Sequence, residues 1–583
     1  MNYPYLNEMK TNRRIIDNFR GYNHNLKIAR NEFFDMKNMT SASFPLLSPR
    51  GRRGIYASPK NAGGLIAKDA LCYVDGSKFF MNEYEIDMGL SEETPKHLVS
   101  MGAYVIIFPD KKYINTKDIS DFGNIEAEYS SVEGQTVSFE LCRVDGSAYK
   151  DVVVSSSEPS TPVNLDLWID TSSEPHTLKQ YSEASGIWVS IATTYIKISA
   201  PGIGKAFETY DGVSISGVEN ENLKDLNASI VIQDKGDDFI VVTGLLDAGG
   251  VVAQTSPITI KRELPLMDFV TEANNRLWGC RYGVARNGKV VNEIYASKLG
   301  DFKNWNCFSG ISTDSYAASV GSDGQFTGAV THNGYPIFFK EDCIHKIYGT
   351  EPSNFQIQNT IARGVQKGSS ESLAIVNEVL YYKTKNGICA FDGSFPVEIS
   401  EQFGEEKYFE AVGGAHGNKY YVSMKNSEGK ANLFVFDTAK KLWHREDETD
   451  VLDFCSCNNE LYFIDKKDGK IKTVFGSGSE ESEPVEWMVE TGVLSTDSPD
   501  KKYISRLTVR MSLEIGSDVS FFVQYDSAGA WVPLASMTGT SLRSFAIPLR
   551  PKRCDHFRLR IVGEGDATIF SIAETIEEGS DLF

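Results

Sequence analysis

Side chains able to carry chemistry are thinly and irregularly placed along this sequence. The eight histidines are His24, His97, His176, His332, His345, His416, His444 and His556. No two have the spacing that would turn both toward a metal from one helical face. Cys455 and Cys457 would share one face of a strand, but no second pair or nearby histidine completes a zinc set. Asp234, Asp237 and Asp238 offer oxygen ligands of the kind calcium takes, although the D-K-G-D-D stretch reads first as a turn. The phosphate-cradling, H-E-x-x-H, G-x-S-x-G and EF-hand patterns are missing. Carboxylate pairs for glycoside hydrolysis meet in space, so spacing singles out none among 79 acidic residues. Trp168, Trp188 and Trp531 could stack on sugars, with core anchoring the simpler reading. No catalytic, cofactor-binding or metal-ligating residue is assigned, and the expectation is a chain with no cofactor and no enzymatic activity.

The elements that would have to position any site are strands. With 583 residues the chain is too long for one ordinary core, so three to four domains are expected, or fewer if one is a large repeat fold. Its 33 Phe, 26 Tyr and 7 Trp argue against disorder. A mean hydropathy of -0.27 and the lack of a long apolar run argue against a membrane span. The nine cysteines are odd in number and scattered, and the N-terminal MNYPYLNEMKTNRR has no apolar core of a secretory signal, so a reducing site of synthesis is expected. Short β-branched and aromatic runs alternate with Gly, Asn, Asp and Ser turns, and no sustained helical stripe appears.

Several runs share one layout of strand, tight turn, aromatic strand and second turn. They occupy 68–88, 96–118, 275–305, 326–350, 372–400, 411–447 and 451–476, with hairpin signals at Asp75–Gly76, Asn287–Gly288, Asn333–Gly334, Asn386–Gly387 and Asp468–Gly469. Their middle strands are almost wholly apolar, as in small sheets stacked face to face. Radial repetition of such sheets is a β-propeller, here expected with six or seven blades over 61–120 and 263–476. The alternative is one large sandwich or several small ones. Residues 121–262 interrupt the repeat and read as an inserted β domain with Trp168 and Trp188 as anchors. After the Ser-rich linker 476–484, the alternation in 483–583 reads as a C-terminal β-sandwich. The fold class is therefore all-β.

Charge is uneven. The net charge of -20 argues against nucleic-acid binding as the task of the whole surface. Residues 1–60 nevertheless hold 11 Lys and Arg against 4 Asp and Glu, net +7, whereas 121–260 hold 7 against 21, net -14. The first segment is read as an N-terminal arm docking to neighbouring subunits, with Arg13, Arg14, Arg50, Arg52 and Arg53 as its candidate contacts; the alternative is an ordinary solvated arm. Trp168 and Trp188 are the candidate contacts of the insertion.

Phe19-Arg20-Gly21-Tyr22-Asn23, then Asp35-Met36-Lys37-Asn38-Met39-Thr40, then Phe44-Pro45 through Pro49-Arg50 resemble the opening of tailed-bacteriophage virion propeller proteins of the tail nozzle and hub. Ile294-Tyr295-Ala296-Ser297-Lys298-Leu299-Gly300-Asp301-Phe302 with Trp305, and Gly334-Tyr335-Pro336-Ile337-Phe338-Phe339-Lys340, are similar to segments of the same propellers. Leu167-Trp168-Ile169-Asp170-Thr171 with Ile187-Trp188-Val189 resembles a module of phage tail proteins. Ser322-Asp323-Gly324-Gln325-Phe326 resembles half of a sialidase-type propeller turn but lacks its ending.

The phage resemblance implies a structural role. The chain would form a homo-oligomeric ring, commonly a hexamer, below the portal and adaptor. There it would line or close the DNA exit channel and support tail fibres, within the virion tail assembled in the host cytoplasm. The partners implied are portal, adaptor and fibre proteins, with DNA passing transiently. The alternatives are a carbohydrate-binding adhesin or receptor-recognition protein and, behind it, a propeller glycosidase.

Overall fold

The computed structural model describes residues 11–82, 84–480, 484–495, 501–550 and 552–578. Residues 1–10 of the expected arm, 481–483 of the expected linker and the last five residues lie outside them. Regular structure among the described residues is strand throughout, apart from three short 3-10 turns at Glu221–Leu226, Ser370–Ser372 and Glu401–Phe403. No helix among the described residues is long and apolar enough to cross a membrane.

The chain is all-β, a β-propeller with an inserted β domain and a C-terminal β-sandwich. Seven antiparallel sheets of the blade type follow one another at 62–87, 97–124, 269–319, 328–361, 374–398, 408–445 and 451–473, and we number them blades 1 to 7. Their inner-layer strands are apolar on both faces because both faces are covered. Ala431–Asp437 and Glu460–Asp465 are buried at every position. The turns are made by residues that tolerate a left-handed backbone, such as Asn333 with Gly334 at φ 52° and 78°.

The residues divide into two compact units, the first made of 1–98, 338–344 and 360–583, the second of 99–337 and 345–359. In the first unit, blades 5, 6, 7 and 1 pack in that succession through their innermost strands. Tyr421 and Val435 of blade 6 meet Leu461 and Phe463 of blade 7. Tyr462 and Ile471 of blade 7 meet Leu65 and Leu71 of blade 1. Blade 7 takes its outer strand from the other end of the chain, for Gly54–Ala57 runs antiparallel to Ile471–Thr473. Only glycine fits at position 54, where a Cβ would stand 2.2 Å from the Ser477 carbonyl oxygen.

The C-terminal sandwich is built on two long strands that bend. Lys502–Tyr525 alternates buried and exposed until Glu514, Ile515 and Gly516, three exposed residues in a row, and then alternates again. Before the bend it pairs with Ala567–Glu578, after it with Phe557–Glu564, while Val532–Ile547 accompanies it on both sides. One strand thus serves two sheet layers. Val509, Met511, Ile561 and Ile572 fall in one core between them.

Residues 11–60 correct the expectation of an arm. Thr11–Ile16 pairs with the sandwich strand at Ile572 to Glu577, and Phe33–Lys37 pairs with Glu486–Thr491. The basic segment is therefore woven into the fold of its own chain.

In the second unit, blades 2 and 3 share a core of Ile106, Tyr113, Leu277 and Trp305. The insertion runs from Ala127 to Arg262, because residues 121–124 complete the outer strand Asp118–Asn124 of blade 2. It comprises an eight-stranded sheet and a four-stranded sheet at 153–190. Its exit is fixed by the buried Arg262, which pairs with Asp211 and donates from Nε to the Ile125 carbonyl at 3.1 Å. Asn304 of blade 3 completes the joint by donating to Asp211 at 2.9 Å.

Candidate functional site

The segment 19–53 holds a cluster of polar contacts in the first unit. It runs over blade 6 toward the sandwich, and its residue types follow from what they meet. Gly21 lies on the Trp443 carbonyl, where a Cβ would be 1.9 Å from the oxygen, and the Tyr22 amide donates to that same oxygen at 2.6 Å. Asn23 donates to Glu32 at 2.9 Å, and Asp35 accepts from Arg445 at 3.0 Å. Asn38 sits at φ 55°, where asparagine is tolerated, and donates from its side chain to the Glu486 carbonyl at 2.7 Å. Its side-chain oxygen accepts from Arg50 Nε at 2.9 Å. Leu47 exchanges two backbone hydrogen bonds with Ile569 of the sandwich, at 3.1 and 2.9 Å. Phe19, Tyr22, Phe33, Met36 and Met39 lie in the same core as Phe434 and Trp443 of blade 6 and Leu507 and Ile572 of the sandwich. The segment is a clasp between the two.

At its end four charges are packed together. Arg53, 3% exposed, donates to Glu446 and Asp447 at 2.8 Å each and lies over the Phe463 ring at 5.1 Å. Arg50 reaches Asp447 at 3.4 Å and Glu446 at 3.9 Å. Burial alone would raise the Asp447 carboxyl, but Arg53 and Arg50 hold it far below the usual carboxylate range. Beside the cluster lies a cavity of about 370 Å³, whose lining includes Thr40, Arg50, Lys419, Glu446, Glu514 and Asp566. Lys419 donates to Thr40 Oγ1 at 3.2 Å, and burial lowers its pKa. With charges of both signs already engaged by one another, the arrangement is suited to holding elements together.

His444, next to this cluster, is 2% exposed, and neither ring nitrogen has a hydrogen-bond partner among the described residues. Burial lowers its pKa to about 3, so the imidazole is neutral. At the inner strand of blade 7, burial raises the Asp453 carboxyl to about 8, and Glu371 adds to the effect. Its Oδ2 accepts the Leu65 amide at 2.7 Å, and His97 Nδ1 stands 4.0 Å from Glu371. A carboxyl kept protonated at neutral pH is the kind of group that can act as a proton donor.

The seven residues singled out in the sequence separate into groups. Arg50 and Arg53 meet in the buried cluster, and the carboxylates they seek belong to their own chain. Arg13 and Arg52 are exposed, while Arg14 donates to Asn12 at 3.2 Å. Trp168 and Trp188 do come together in the insertion, edge to face at 5.5 Å, with Tyr181 5.4 Å from Trp188 and Lys179 Nζ 4.8 Å above Trp168. Trp168 is buried and donates to the Ser155 carbonyl at 3.0 Å, so it anchors the small sheet. Asp237 and Asp238 form a turn whose Asp238 carboxylate accepts the Gly202 amide at 2.7 Å. Among the described residues no three His, Cys, Asp or Glu side chains gather as a metal site. Lys419, Glu446, Asp447 and Asp453 carry no local sequence signal, since each acquires its environment from distant segments.

Fold and constellation together define an all-β propeller protein whose own N-terminal segment clasps blades to a sandwich. No family model and no curated protein matches the chain. Solved structures similar to it include an exo-β-1,3-galactanase from Phanerochaete chrysosporium, at 8% identity over 52% of this chain and 94% of that one, with a TM-score of 0.20. A glycoside hydrolase family 43 arabinoxylan arabinofuranohydrolase from Bacillus subtilis is similar at 9% identity over 53% and 95%, with a TM-score of 0.17. A sialidase from Trypanosoma rangeli is similar at 8% identity over 90% and 96%, with a TM-score of 0.18. These matches are to hydrolases, and the expectation of a chain without enzymatic activity is given up on their account. At such TM-scores they assign no activity, substrate or catalytic residue to this chain.

Proposed function

We propose that the chain is a structural subunit of a bacteriophage tail, of the nozzle or hub kind, forming a ring below the portal and adaptor around the DNA exit path. The observation that carries this reading is the clasp. The residues that bear the phage resemblance, from Phe19 to Arg50, are those that join blade 6 to the sandwich through Gly21, Tyr22, Asn38 and Leu47. A wall element of a channel under load benefits from such a tie, because blades and sandwich share one core and resist separation. The net charge of -20 supports the same reading, since a negative wall repels the DNA backbone and lets it slide.

The test is assembly. The full chain, alone and mixed with portal and adaptor proteins of a tailed phage, is examined by native mass spectrometry and negative-stain imaging. Closed rings that stack on the portal–adaptor complex are expected. A chain that stays monomeric under every combination would overturn the proposal.

A further inference from the structure

A second cavity, of about 300 Å³, lies between blades 3 and 4 within the second unit. Its lining converges from elements at one end of these sheets. Asn274 and Arg276 come from the first hairpin of blade 3, Tyr335 and Pro336 from the first hairpin of blade 4, and Gly349 to Phe355 from the loop before blade 4's outer strand. That loop is held by Asn354, whose side-chain oxygen accepts the amides of Thr350 and Glu351 at 2.8 and 3.1 Å. The hairpin of blade 3 is held against blade 4 by Asn274, which donates to the Gly334 carbonyl at 3.0 Å.

The chemistry of the lining is specific. Arg276 is 2% exposed, and among the described residues its guanidinium donates only to backbone carbonyls, those of Ser297 at 2.7 Å, Asp314 at 2.5 Å and Ser312 at 2.9 Å. The nearby Asp314 carboxylate is turned to the amides of Gly310 and Ile311, at 2.6 and 3.1 Å, so it does not pair with the guanidinium. A guanidinium has five N–H donors. Among the described residues, Nε and one Nη2 hydrogen of Arg276 have no protein acceptor. A buried cation with spare donors beside an open cavity favours an anion with two oxygens, and a carboxylate matches its fork.

The walls are aromatic. Trp278 and Phe355 meet edge to face at 5.0 Å, Phe355 lies 5.7 Å from the guanidinium carbon, and Tyr335 is 36% exposed at the mouth. Lys346 Nζ stands 4.4 Å over the Tyr335 ring. Thr350 and Asn274, both exposed, add a hydroxyl and an amide at the rim. Aromatic faces, rim hydroxyl and amide groups and a carboxylate-seeking cation are together what a sugar acid presents the complement of.

We infer that this cavity is a binding site for an acidic saccharide of the uronic-acid type, with the sugar carboxylate on Arg276 and the ring against Tyr335 and Phe355. The inference does not rest on the tail proposal, because it concerns the ligand of one cavity and not assembly.

The test uses the full chain and a matched pair of probes, methyl β-D-glucuronide and methyl β-D-glucoside, which differ at the carboxylate. Binding is followed by ligand-observed saturation transfer and by calorimetry, with benzoate as a carboxylate lacking the sugar. The glucuronide is expected to bind with a Kd of about 1 mM or tighter, and the glucoside at least about tenfold more weakly. Tyr335→Ala, at an exposed position, is expected to weaken glucuronide binding about tenfold with unchanged circular dichroism and melting. Arg276→Lys keeps a charge but loses the fork, and is expected to bring the two sugars to similar affinity. Equal affinity for both sugars in the native chain, no glucuronide binding at about 10 mM, an unaltered Tyr335→Ala variant, or tighter binding of benzoate than of the glucuronide would each overturn the assignment.

Discussion

Replacing His444 by phenylalanine tests the account of the clasp at its least polar point. The ring is fully enclosed, both nitrogens lack partners among the described residues, and Phe19, Met36, Met39, Phe44 and Leu47 line the small void beside it. Burial lowers the pKa to about 3 in the folded chain against the ordinary 6.5, so the imidazole is neutral when folded and takes up a proton on unfolding below pH 6.5. The unfolded chain then binds more protons than the folded one, so stability falls as pH falls, at about 1.4 kcal/mol per unit. From pH 6.5 to 5.0 the loss is about 2 kcal/mol. Phenylalanine fills a similar volume without the two orphaned nitrogens, so His444→Phe should be at least as stable as the native chain at pH 7. Its advantage should grow by about 2 kcal/mol at pH 5. Lys419, Lys440 and Asp437, which act on the imidazole electrostatically, are common to both chains and largely cancel in the difference. Chemical denaturation followed by tryptophan fluorescence at pH 7, 6 and 5 measures it. A difference between the chains that stays constant from pH 7 to 5 would refute the reasoning.

Other perturbations have equally definite outcomes. Arg53→Met leaves Glu446 and part of Asp447 buried without their main partner, and denaturation should report a loss of about 3–5 kcal/mol. Gly21→Ala drives a Cβ into the Trp443 carbonyl, so trypsin should cut at Arg13, Arg14, Arg20 and Arg30 faster than in the native chain, alongside a loss of about 3 kcal/mol. Asp453, with its pKa raised to about 8, contributes most below its unfolded value of 3.8, and that contribution is lost as pH rises toward 8. Asp453→Asn should therefore gain stability over the native chain as pH rises from 5 to 8, and parallel melting profiles would contradict the protonated carboxyl.

The parts of the fold legible in the sequence are those made by neighbours in the chain. Turns such as Asp75–Gly76, Asn333–Gly334 and Asp468–Gly469 mark hairpins because their residues accept positive φ, and all seven apolar runs fall in blades. The innermost strand of blade 1, Ala62–Lys68, escapes the same reading because Ala62, Gly63 and Gly64 carry almost no side-chain pattern. The outer strand of blade 7 escapes it for another reason, since nothing near Gly54–Ala57 announces a partner at Ile471–Thr473. Arg50 and Arg53 read in the sequence as contacts to neighbouring subunits, whereas in the fold they pair with Glu446 and Asp447 of their own chain. Residue spacing is silent on whether those carboxylates belong to a neighbour or lie some 390 residues downstream, as Glu446 does. The boundary at 120 cuts the strand Asp118–Asn124 because the acidic composition of the insertion begins one strand before its fold does.

The outer strand of blade 7 and the edge strand of the sandwich set a schedule for biosynthesis. Ala57 has no ladder partner until Ile471 has been made, 414 residues later, and Thr11 waits for Glu577. At about 5–20 residues per second the first wait lasts roughly 20 to 80 s, during which strand edges near the N-terminus are open to mispairing. A translation product halted before residue 451 would have neither blade 7 nor the sandwich on which those N-terminal strands dock. A chain carrying both segments can therefore complete these ladders, whereas a prematurely terminated one leaves the N-terminal strand edges unpaired.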